Sequence, residues 1–376
     1  MPLPGVVDLF LELATIPSPS GEERAVADSV LAYLSGVGLA VDEDEAGRAI
    51  GSTAGNLLCR LPATEPGGVA LFLCAHLDTV PPLDAIEPVI DAGGTIRNSN
   101  AAILGADNKA AVAVMLDATR RIVAEARPHG GVELLFTPKE EVGLLGAAAF
   151  DESRLEATTG FVYDHAAPIG YVVLGAPFQR ALDVTFHGRA AHAGMYPEEG
   201  RSAVVAAARA IADLRLGRLD ADTTANVGLI DGGSARNVVP ERCSLALDLR
   251  SHDEAVLNEL VQETLDTLTF AAGVGECELE VQVRPGASGY RFRRSDLPVR
   301  LAEQALGRVG YAPELGLSGG GADANVFNER GLACLNLANG MANIHTPDEE
   351  ITLADLEGMV EVTLELVQAA REVGAA

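Results

Sequence analysis

The stretch Ala75-His76-Leu77-Asp78-Thr79 is the point from which the fold of this 376-residue sequence can be worked out. This stretch directly follows the apolar run 68–74. The run predicts a buried strand, because it is short and continuous and Pro81 and Pro82 come soon after it. Ligands of open α/β sheets bind at the carboxyl ends of the strands. Side chains two residues apart point the same way along a strand, so His76 and Asp78 are expected to project into one crevice.

His76 and Asp78 together suit a metal site, in which an imidazole binds the ion and a carboxylate behind it fixes the imidazole tautomer. An isolated His-x-Asp is more often a histidine at a strand end beside a surface aspartate. The residues downstream decide between these two interpretations.

The composition excludes several classes of protein. With 27 basic and 54 acidic residues, the net charge is -27, which would repel nucleic acids and anionic membranes. The opening segment carries Asp8 and Glu12 without a basic stretch, so it does not resemble a signal peptide, and no apolar run has the length of a membrane span. Five cysteines without a C-x-x-C pair favour a reducing compartment. We therefore expect a cytoplasmic protein with no nucleic-acid or membrane partner.

Two later apolar runs also lead to ionisable residues. Residues 131–137 predict a strand that leads to Glu140 and Glu141, and residues 160–163 predict a strand that leads to Asp164. The runs alternate with helical patterns, which predicts an α/β domain with a mostly parallel sheet. Each strand would bring a carboxylate or an imidazole to one edge of this sheet.

Other polar residues have a purely structural interpretation when they are taken one at a time. Ser20–Glu23 has the pattern of a capping box that starts a helix at Arg24. Asp107 or Asn108 stands where the N-cap of the apolar helical pattern 110–124 belongs, so Asp107 alone would be a helix cap. His345 alone would be a loop histidine.

The pattern changes after residue 177. Between residues 178 and 288 the order is strand, helix, strand, strand, helix, strand, which is that of a ferredoxin-like α+β unit. The α/β pattern resumes at residue 289. We therefore expect one α/β domain formed by residues 1–177 and 289–376, with residues 178–288 inserted into it as a second domain.

Five ionisable residues from separate loops would meet at the edge of the α/β sheet. They are two imidazoles and three carboxylates: His76, Asp107, Glu141, Asp164 and His345. Without cations, so many buried charges would be mutually repulsive. A carboxylate shared by two ions about 3.5 to 4 Å apart is the basis of two-metal hydrolytic sites. Nitrogen and oxygen ligands without cysteine suit Zn²⁺, with Mn²⁺ or Co²⁺ as substitutes.

Eight segments that carry chemistry follow one another in a fixed order. They are His76-x-Asp78, 105–109, Glu140-Glu141, Asp164, 188–194, 237–240, Arg250 and 343–346. This ordered set resembles the M20 family of co-catalytic zinc peptidases, most closely the peptidase T (aminotripeptidase) branch, and the resemblance covers nearly the whole chain. It implies a three-layer zinc-exopeptidase-like catalytic domain and an inserted lid domain. The sequence leaves the oligomeric state open, but relatives often dimerise through that domain.

The resemblance implies two zinc ions per subunit. His76 and Asp164 would bind one ion, Glu141 and His345 would bind the other, and Asp107 would bridge both.

The resemblance also assigns the remaining roles. Asp78 would orient the histidine two residues before it. Glu140 would be the general base that deprotonates a water bridging the metals, and the resulting hydroxide would attack the scissile carbonyl. His192 would stabilise the oxyanion, Asn237 would hold the substrate, and Arg250 would pair with a terminal carboxylate of a small peptide substrate.

Two positions depart from the family pattern. Asn108 replaces the usual aspartate, and we expect the site to tolerate it because asparagine also accepts a hydrogen bond. The family pattern implies a cis peptide bond at this point. His165 follows Asp164 where relatives have small or acidic residues, and it would lie close enough to the site to bind metal or substrate.

The leading hypothesis is an exopeptidase that hydrolyses short peptides. An amidohydrolase of N-acyl or N-carbamoyl amino acids would keep the site and change the substrate. A binding protein on the same scaffold would have no need of Glu140 as a free base. A nucleotide-binding enzyme is disfavoured, because the glycine run 319–321 matches no phosphate loop.

Overall fold

The computed structural model describes residues 3–373. It divides into two compact units, the first formed by the chain up to Gly175 and from Arg291 onward, the second by Ala176–Tyr290. The first unit has the predicted α/β class and the second is α+β. Within the described residues, every helix is too short or too polar to cross a membrane.

The elements are numbered along the chain. The helices of the described residues are α1 (Val6–Ala14), α2 (Arg24–Val37), α3 (Ala46–Ile50), α4 (Ala106–Ala124), α5 (Leu145–Ala149), α6 (Ala203–Asp213), α7 (Glu254–Gly275), α8 (Leu297–Val309), α9 (Asp323–Glu329) and α10 (Leu353–Val373). The strands are β1 (Val41–Glu43), β2 (Leu57–Leu61), β3 (Leu71–His76), β4 (Pro88–Ile90), β5 (Thr95–Asn98), β6 (Val132–Thr137), β7 (Thr159–His165), β8 (Tyr171–Ala176), β9 (Phe178–His187), β10 (Gly217–Arg218), β11 (Thr223–Gly232), β12 (Arg242–Ser251), β13 (Glu278–Pro285), β14 (Tyr290–Arg291), β15 (Glu314–Leu317), β16 (Ala333–Ala338) and β17 (Glu350–Thr352).

The large sheet of the first unit is parallel at its centre, and both parallel and antiparallel pairs lie towards its edges. Its order is β1-β2-β6-β3-β7-β16-β8-β14, with β15 beside β8. The strands β6, β3, β7 and β16 run parallel, as their alternation with helices predicts. The pairs β1–β2, β2–β6 and β16–β8 are antiparallel, so the sheet is mixed. Strands β4, β5 and β17 form a separate small sheet.

Strand β3 shows how helices cover both faces of this sheet. Leu71 and Leu73 belong to the core that also contains residues of α1, α4 and α10. Phe72 points to the other face, where its ring packs edge-on against Phe327 of α9 with the centroids 5.3 Å apart. Because alternate side chains face opposite layers, every residue of β3 is buried, as its continuous apolar run predicts.

The second unit has a fully antiparallel sheet in the order β10-β11-β12-β9-β13. Helices α6 and α7 pack against it around a separate apolar core. The main elements β9, α6, β11, β12, α7 and β13 follow the predicted order, and the two-residue strand β10 is an addition to it.

Gly160 on β7 tests the packing between β7 and β3. A Cβ atom at this position would lie 2.2 Å from the ring of Phe72, which is fully buried. We expect Gly160→Ala to lower the free energy of unfolding by about 1 to 3 kcal/mol, because the ring has to move in a close-packed layer. Denaturant unfolding followed by circular dichroism measures this change.

Gly307→Ala is the matched control. Gly307 lies in α8 of the same unit, and a Cβ atom there would meet nothing within 4 Å. We expect this variant to be more stable by about 0.5 to 1 kcal/mol, because alanine favours a helix over glycine. Equal stability of Gly160→Ala and the wild type would contradict the packing described here.

Candidate metal centre

Asp107 lies between two histidines and presents one carboxylate oxygen to each. Its Oδ1 is 3.2 Å from Nε2 of His76, and its Oδ2 is 3.2 Å from Nε2 of His345. The Asp107 side chain is 6% exposed, so water screens these charges little. A carboxylate whose oxygens face different imidazoles has the geometry of a bridge between two cations.

Each imidazole also faces a second carboxylate. Nε2 of His76 is 3.8 Å from Oδ1 of Asp164, and Nε2 of His345 is 2.9 Å from Oε1 of Glu141. The structure therefore brings together all five residues that were predicted as ligands. They form two sets that share Asp107.

Glu140 lies at the same centre. Ligand atoms of Glu140, His76 and Asp164 all lie within 4.8 Å of one another, so distance alone does not distinguish a base from a ligand. Burial, and then the charge of Asp164, raise the pKa of Glu140 well above its usual value. A raised pKa makes a carboxylate a better proton acceptor than an ordinary glutamate.

The carboxylates of this centre need positive charge beside them. Hydrogen bonds to Asp107 and Glu141 raise the pKa of His345 to about 10. Burial lowers the pKa of His76, but hydrogen bonds to Asp107 and neighbouring carboxylates outweigh burial and hold the pKa well above its usual value. The carboxylates therefore favour positive charge on both imidazoles. Metal ions would serve the same purpose, and the nitrogen and oxygen donors, without cysteine, fit Zn²⁺, Mn²⁺ or Co²⁺.

Asp78 holds both the histidine and the glutamate pair. Nδ1 of His76 is 2.9 Å from the carbonyl oxygen of Asp78 and 3.5 Å from its Oδ1, which directs Nε2 towards Asp107. The carboxylate of Asp78 accepts hydrogen bonds from the backbone N–H groups of Glu140 at 2.9 Å and Glu141 at 3.2 Å. Asp78 therefore orients the imidazole mainly through its main chain, while its carboxylate fixes the backbone of both glutamates.

The predicted capping box at Ser20 is wrong. The hydroxyl of Ser20 donates a hydrogen bond of 2.6 Å to Oδ2 of Asp78, and α2 begins after Glu23 without a side-chain cap. The carboxylate of Glu23 accepts hydrogen bonds from the N–H of Gly21 and the hydroxyl of Ser52. Ser20 thus supports the metal centre instead of the helix.

Asn108 and His165, the two positions that depart from the family pattern, differ in their surroundings. The Asp107–Asn108 peptide bond is cis, as the resemblance implies. Asn108 is fully buried, and neither polar atom of its side chain has a hydrogen-bond partner among the described residues. The ring of His165 stacks on that of Tyr171 with the centroids 5.0 Å apart, and among residues 3–373 His165 belongs to no group of candidate metal ligands.

Two further buried carboxylates lie behind the centre, and no motif in the sequence identifies them. Glu349 is 1% exposed and accepts hydrogen bonds from the backbone that leads to Asp107. Asp323 is 2% exposed and accepts a hydrogen bond of 2.5 Å from the hydroxyl of Thr137. The one signal for Glu349 is its position four residues after His345, whereas Asp323 resembles the first residue of an ordinary helix.

The three residues predicted to contact substrate lie in the second unit. His192 is exposed, and its backbone forms a bridge with Val238, directly after Asn237. Arg250 lies near the end of β12 and forms an ion pair of 2.8 Å with Asp248.

A cavity of about 220 Å³ opens beside His345 in the first unit. Val80, Leu83, Ile103 and Pro347 contribute to its walls. These side chains are apolar, so the cavity suits an apolar group next to the metal centre.

The chain is similar to known proteins in sequence and fold. The peptidase dimerisation domain of the M20 type matches residues 180–276, and peptidase family M28 matches residues 56–171. The chain is 35% identical to aminopeptidase PepT from Bacillus cereus ATCC 10987, over 97% of this chain and 98% of that one, with a TM-score of 0.90. The chain belongs to the M20 family of metallopeptidases.

Two more relatives match nearly the whole chain. A tripeptidase from Staphylococcus aureus Mu50 is 33% identical over 98% of both chains, with a TM-score of 0.94. Protein YqjE of Bacillus subtilis is 33% identical over 365 residues, which is 97% of this chain and 98% of that protein. The predicted resemblance, fold class and enzyme class are therefore confirmed.

Ser20 offers a test of how this M20 peptidase supports its metal centre. We expect Ser20→Ala to lower kcat/KM by about 10- to 100-fold, because Asp78 loses a hydrogen bond behind the metal ligands. Hydrolysis rates and metal content of the purified protein measure the effect. Ser29→Ala is the control, since the hydroxyl of Ser29 bonds the carbonyl of Ala25 within α2 and does not contact Asp78 in the described part of the chain. Wild-type activity of Ser20→Ala would show that this hydrogen bond is dispensable.

Proposed function

We propose that this M20 protein is a dinuclear zinc-dependent exopeptidase that hydrolyses short peptides in the manner of a tripeptide aminopeptidase. The position of Asp107 carries this proposal, because its two carboxylate oxygens face His76 and His345 at 3.2 Å each. His76 and Asp164 would hold one ion, Glu141 and His345 the other, and Asp107 both. Mn²⁺ or Co²⁺ would fit the same donors.

Zinc ions in this centre would lower the pKa of a water molecule and polarise the carbonyl group of the scissile bond. Glu140 accepts the proton of that water and passes it to the leaving amine. Its position near His76 and Asp164 and its raised pKa suit this transfer. The hydrogen bond from its N–H to Asp78 keeps Glu140 in place during the reaction.

Short peptides are the substrates that the relatives and the site support. The relatives from B. cereus and S. aureus are described as an aminopeptidase and a tripeptidase. The apolar cavity beside His345 has room for an apolar side chain of such a peptide. In this proposal Arg250 pairs with the peptide carboxylate, Asn237 holds the peptide backbone, and His192 stabilises the oxyanion.

Glu140→Gln tests the proposed base. An amide cannot accept the proton, so we expect this variant to keep both zinc ions and to lose about 10²- to 10⁴-fold in kcat. Zinc analysis and hydrolysis of apolar tripeptides, with and without a chelator, measure the outcome. Glu12→Gln, an exposed glutamate on α1, is the control. Near-normal turnover by Glu140→Gln would exclude Glu140 as the base.

The same assay includes dipeptides, N-acyl amino acids and N-carbamoyl amino acids. We expect tripeptides to be hydrolysed with the highest kcat/KM. Faster hydrolysis of the acylated amino acids would favour the amidohydrolase hypothesis. A wild-type protein without bound zinc or chelator-sensitive hydrolysis would contradict both functions.

We also propose a homodimer, because the predicted substrate residues are far apart within the second unit. Strands β9 and β12 pair His187 with Arg242 at one end and Gln179 with Arg250 at the other. The eight steps from Arg242 to Arg250 span roughly 26 Å at about 3.3 Å per residue. His192 lies beyond the first end. An extended tripeptide spans at most about 11 Å, so one copy of this unit cannot bring both His192 and Arg250 to it.

The outer edge of β11 supports dimerisation. Its partner β10 pairs only with Thr224 and Ala225, and no other described strand pairs with that edge. Leu229 and Ile230 farther along β11 are 71% and 57% exposed. An exposed apolar strand edge is covered when a second copy pairs with it. The match of this unit to a peptidase dimerisation domain points the same way.

Mixing two inactive variants tests whether His192 acts in the neighbouring subunit. After exchange of subunits between His192→Ala and Glu140→Gln, half of the dimers are mixed and each has one complete site. We therefore expect about a quarter of wild-type activity. A mixture of Glu140→Gln with His345→Ala is the control and stays inactive, because both changes lie in the same centre. If heterodimers of His192→Ala and Glu140→Gln form but are inactive, His192 acts in the site of its own subunit.

The compartment and remaining partners follow from charge and cysteine chemistry. All five cysteines are free of disulfide bonds, which supports a reducing cytoplasmic setting. The net charge of -27 disfavours nucleic-acid and anionic membrane partners. We propose a peptide and a second copy of the chain as its partners.

A further inference from the structure

Glu349 is a buried carboxylate that the proposed reaction does not use. Its Oε2 accepts hydrogen bonds from the N–H groups of Leu104 at 2.7 Å and Gly105 at 2.8 Å, and its Oε1 accepts one from the N–H of Asp107 at 2.9 Å. The residue is 1% exposed. Three charge-assisted hydrogen bonds therefore hold one short segment of backbone against a side chain from a distant part of the sequence.

Two of the three N–H groups belong to the start of α4, since Gly105 is its N-cap and Asp107 lies in its first turn, where a helix leaves its first donors without internal partners. Leu104 directly precedes the N-cap. This start is irregular, because Asp107 and Asn108 have non-helical backbone angles and Gly105 is left-handed with φ +77°. No side chain of the segment itself caps the helix. Glu349 supplies the negative charge and the acceptors that this helix start needs.

Glu349 also lies in the segment that carries His345. His345 is four residues earlier and has a left-handed backbone with φ +63°. The N–H of Glu349 bonds the carbonyl of Thr346, and Nδ2 of Asn343 bonds the carbonyl of Asp348, so the segment is folded on itself. Glu349 therefore connects the segment that carries one metal ligand to the segment that carries the bridging carboxylate.

We infer that Glu349 is a positioning residue, which fixes the carboxylate of Asp107 between His76 and His345 and thereby sets the affinity for the ion held by His345. This inference rests on the proposed dinuclear centre. Without the hydrogen bond at Asp107, the carboxylate can turn away from His345 while it keeps its contact with His76. The ion between Asp107, Glu141 and His345 is then bound less tightly than its neighbour.

Glu349→Gln tests this role with a side chain of nearly the same shape. The amide has one acceptor oxygen where the carboxylate has two, so either the N–H of Asp107 or the N–H groups of both Leu104 and Gly105 lose their acceptor. The exposed neighbour Asp348 gives a matched control, Asp348→Asn, which makes the same chemical change one residue away.

The measurement is a calorimetric titration of metal-free protein with Zn²⁺. Wild type and Asp348→Asn are expected to bind two equivalents with the same affinities. Glu349→Gln is expected to bind one equivalent normally and the second at least about 10-fold more weakly. Its kcat at low Zn²⁺ should fall and recover as Zn²⁺ is added, while KM stays unchanged. A generally weakened fold would instead lower both affinities.

Two equivalents bound by Glu349→Gln with wild-type affinities would overturn the inference. If this variant does not fold, as judged by circular dichroism, Glu349→Asp carries the test, since it keeps the charge but is one methylene shorter. If Glu349→Asp binds only the second zinc equivalent more weakly, the inference is supported. If it binds both equivalents with wild-type affinities, the inference is overturned. If the wild type itself binds fewer than two ions, the dinuclear function fails instead.

Discussion

The repulsion among carboxylates that share one buried sheet edge is the constraint on which the rest of this structure depends. Asp107, Glu140, Glu141 and Asp164 lie around two imidazoles where little water is present to screen their charges. These four carboxylates can stay this close together only when positive charge lies between them, from protonated histidines or from metal ions. Strands β3, β6 and β7 and helix α4 bring these groups together and provide the rigidity to keep them there.

Much of that rigidity comes from carboxylates that bind backbone. Asp78 holds the N–H groups of the glutamate pair, and Glu349 holds those before and at Asp107. Neither needs to bind a metal ion. The centre therefore has an inner set of charged groups and a surrounding set of carboxylates whose charge is already satisfied by N–H donors, so the second set supports the first without competing with it.

The parts of the fold that local sequence determines could be predicted. The apolar runs of β3, β6 and β7 are continuous because both faces of those strands are buried, and polar residues follow them at the sheet edge. The mixed nature of the sheet could not be predicted in this way, since short edge strands such as β1 and β15 carry no distinct pattern. Pairings across long separations were also missed, because Ser20 and Glu349 reach Asp78 and Asp107 only in the folded chain.

The exposure of the ligands differs across the centre, and this difference has a kinetic consequence. The side chains of His76 and Asp164 are 2% and 9% exposed, whereas that of His345 is 44% exposed. Solvent and chelators therefore reach the centre from the side of His345. In the proposed dinuclear centre, an ion on that side would exchange first and an ion beside His76 would exchange last, so the two ions would have different residence times.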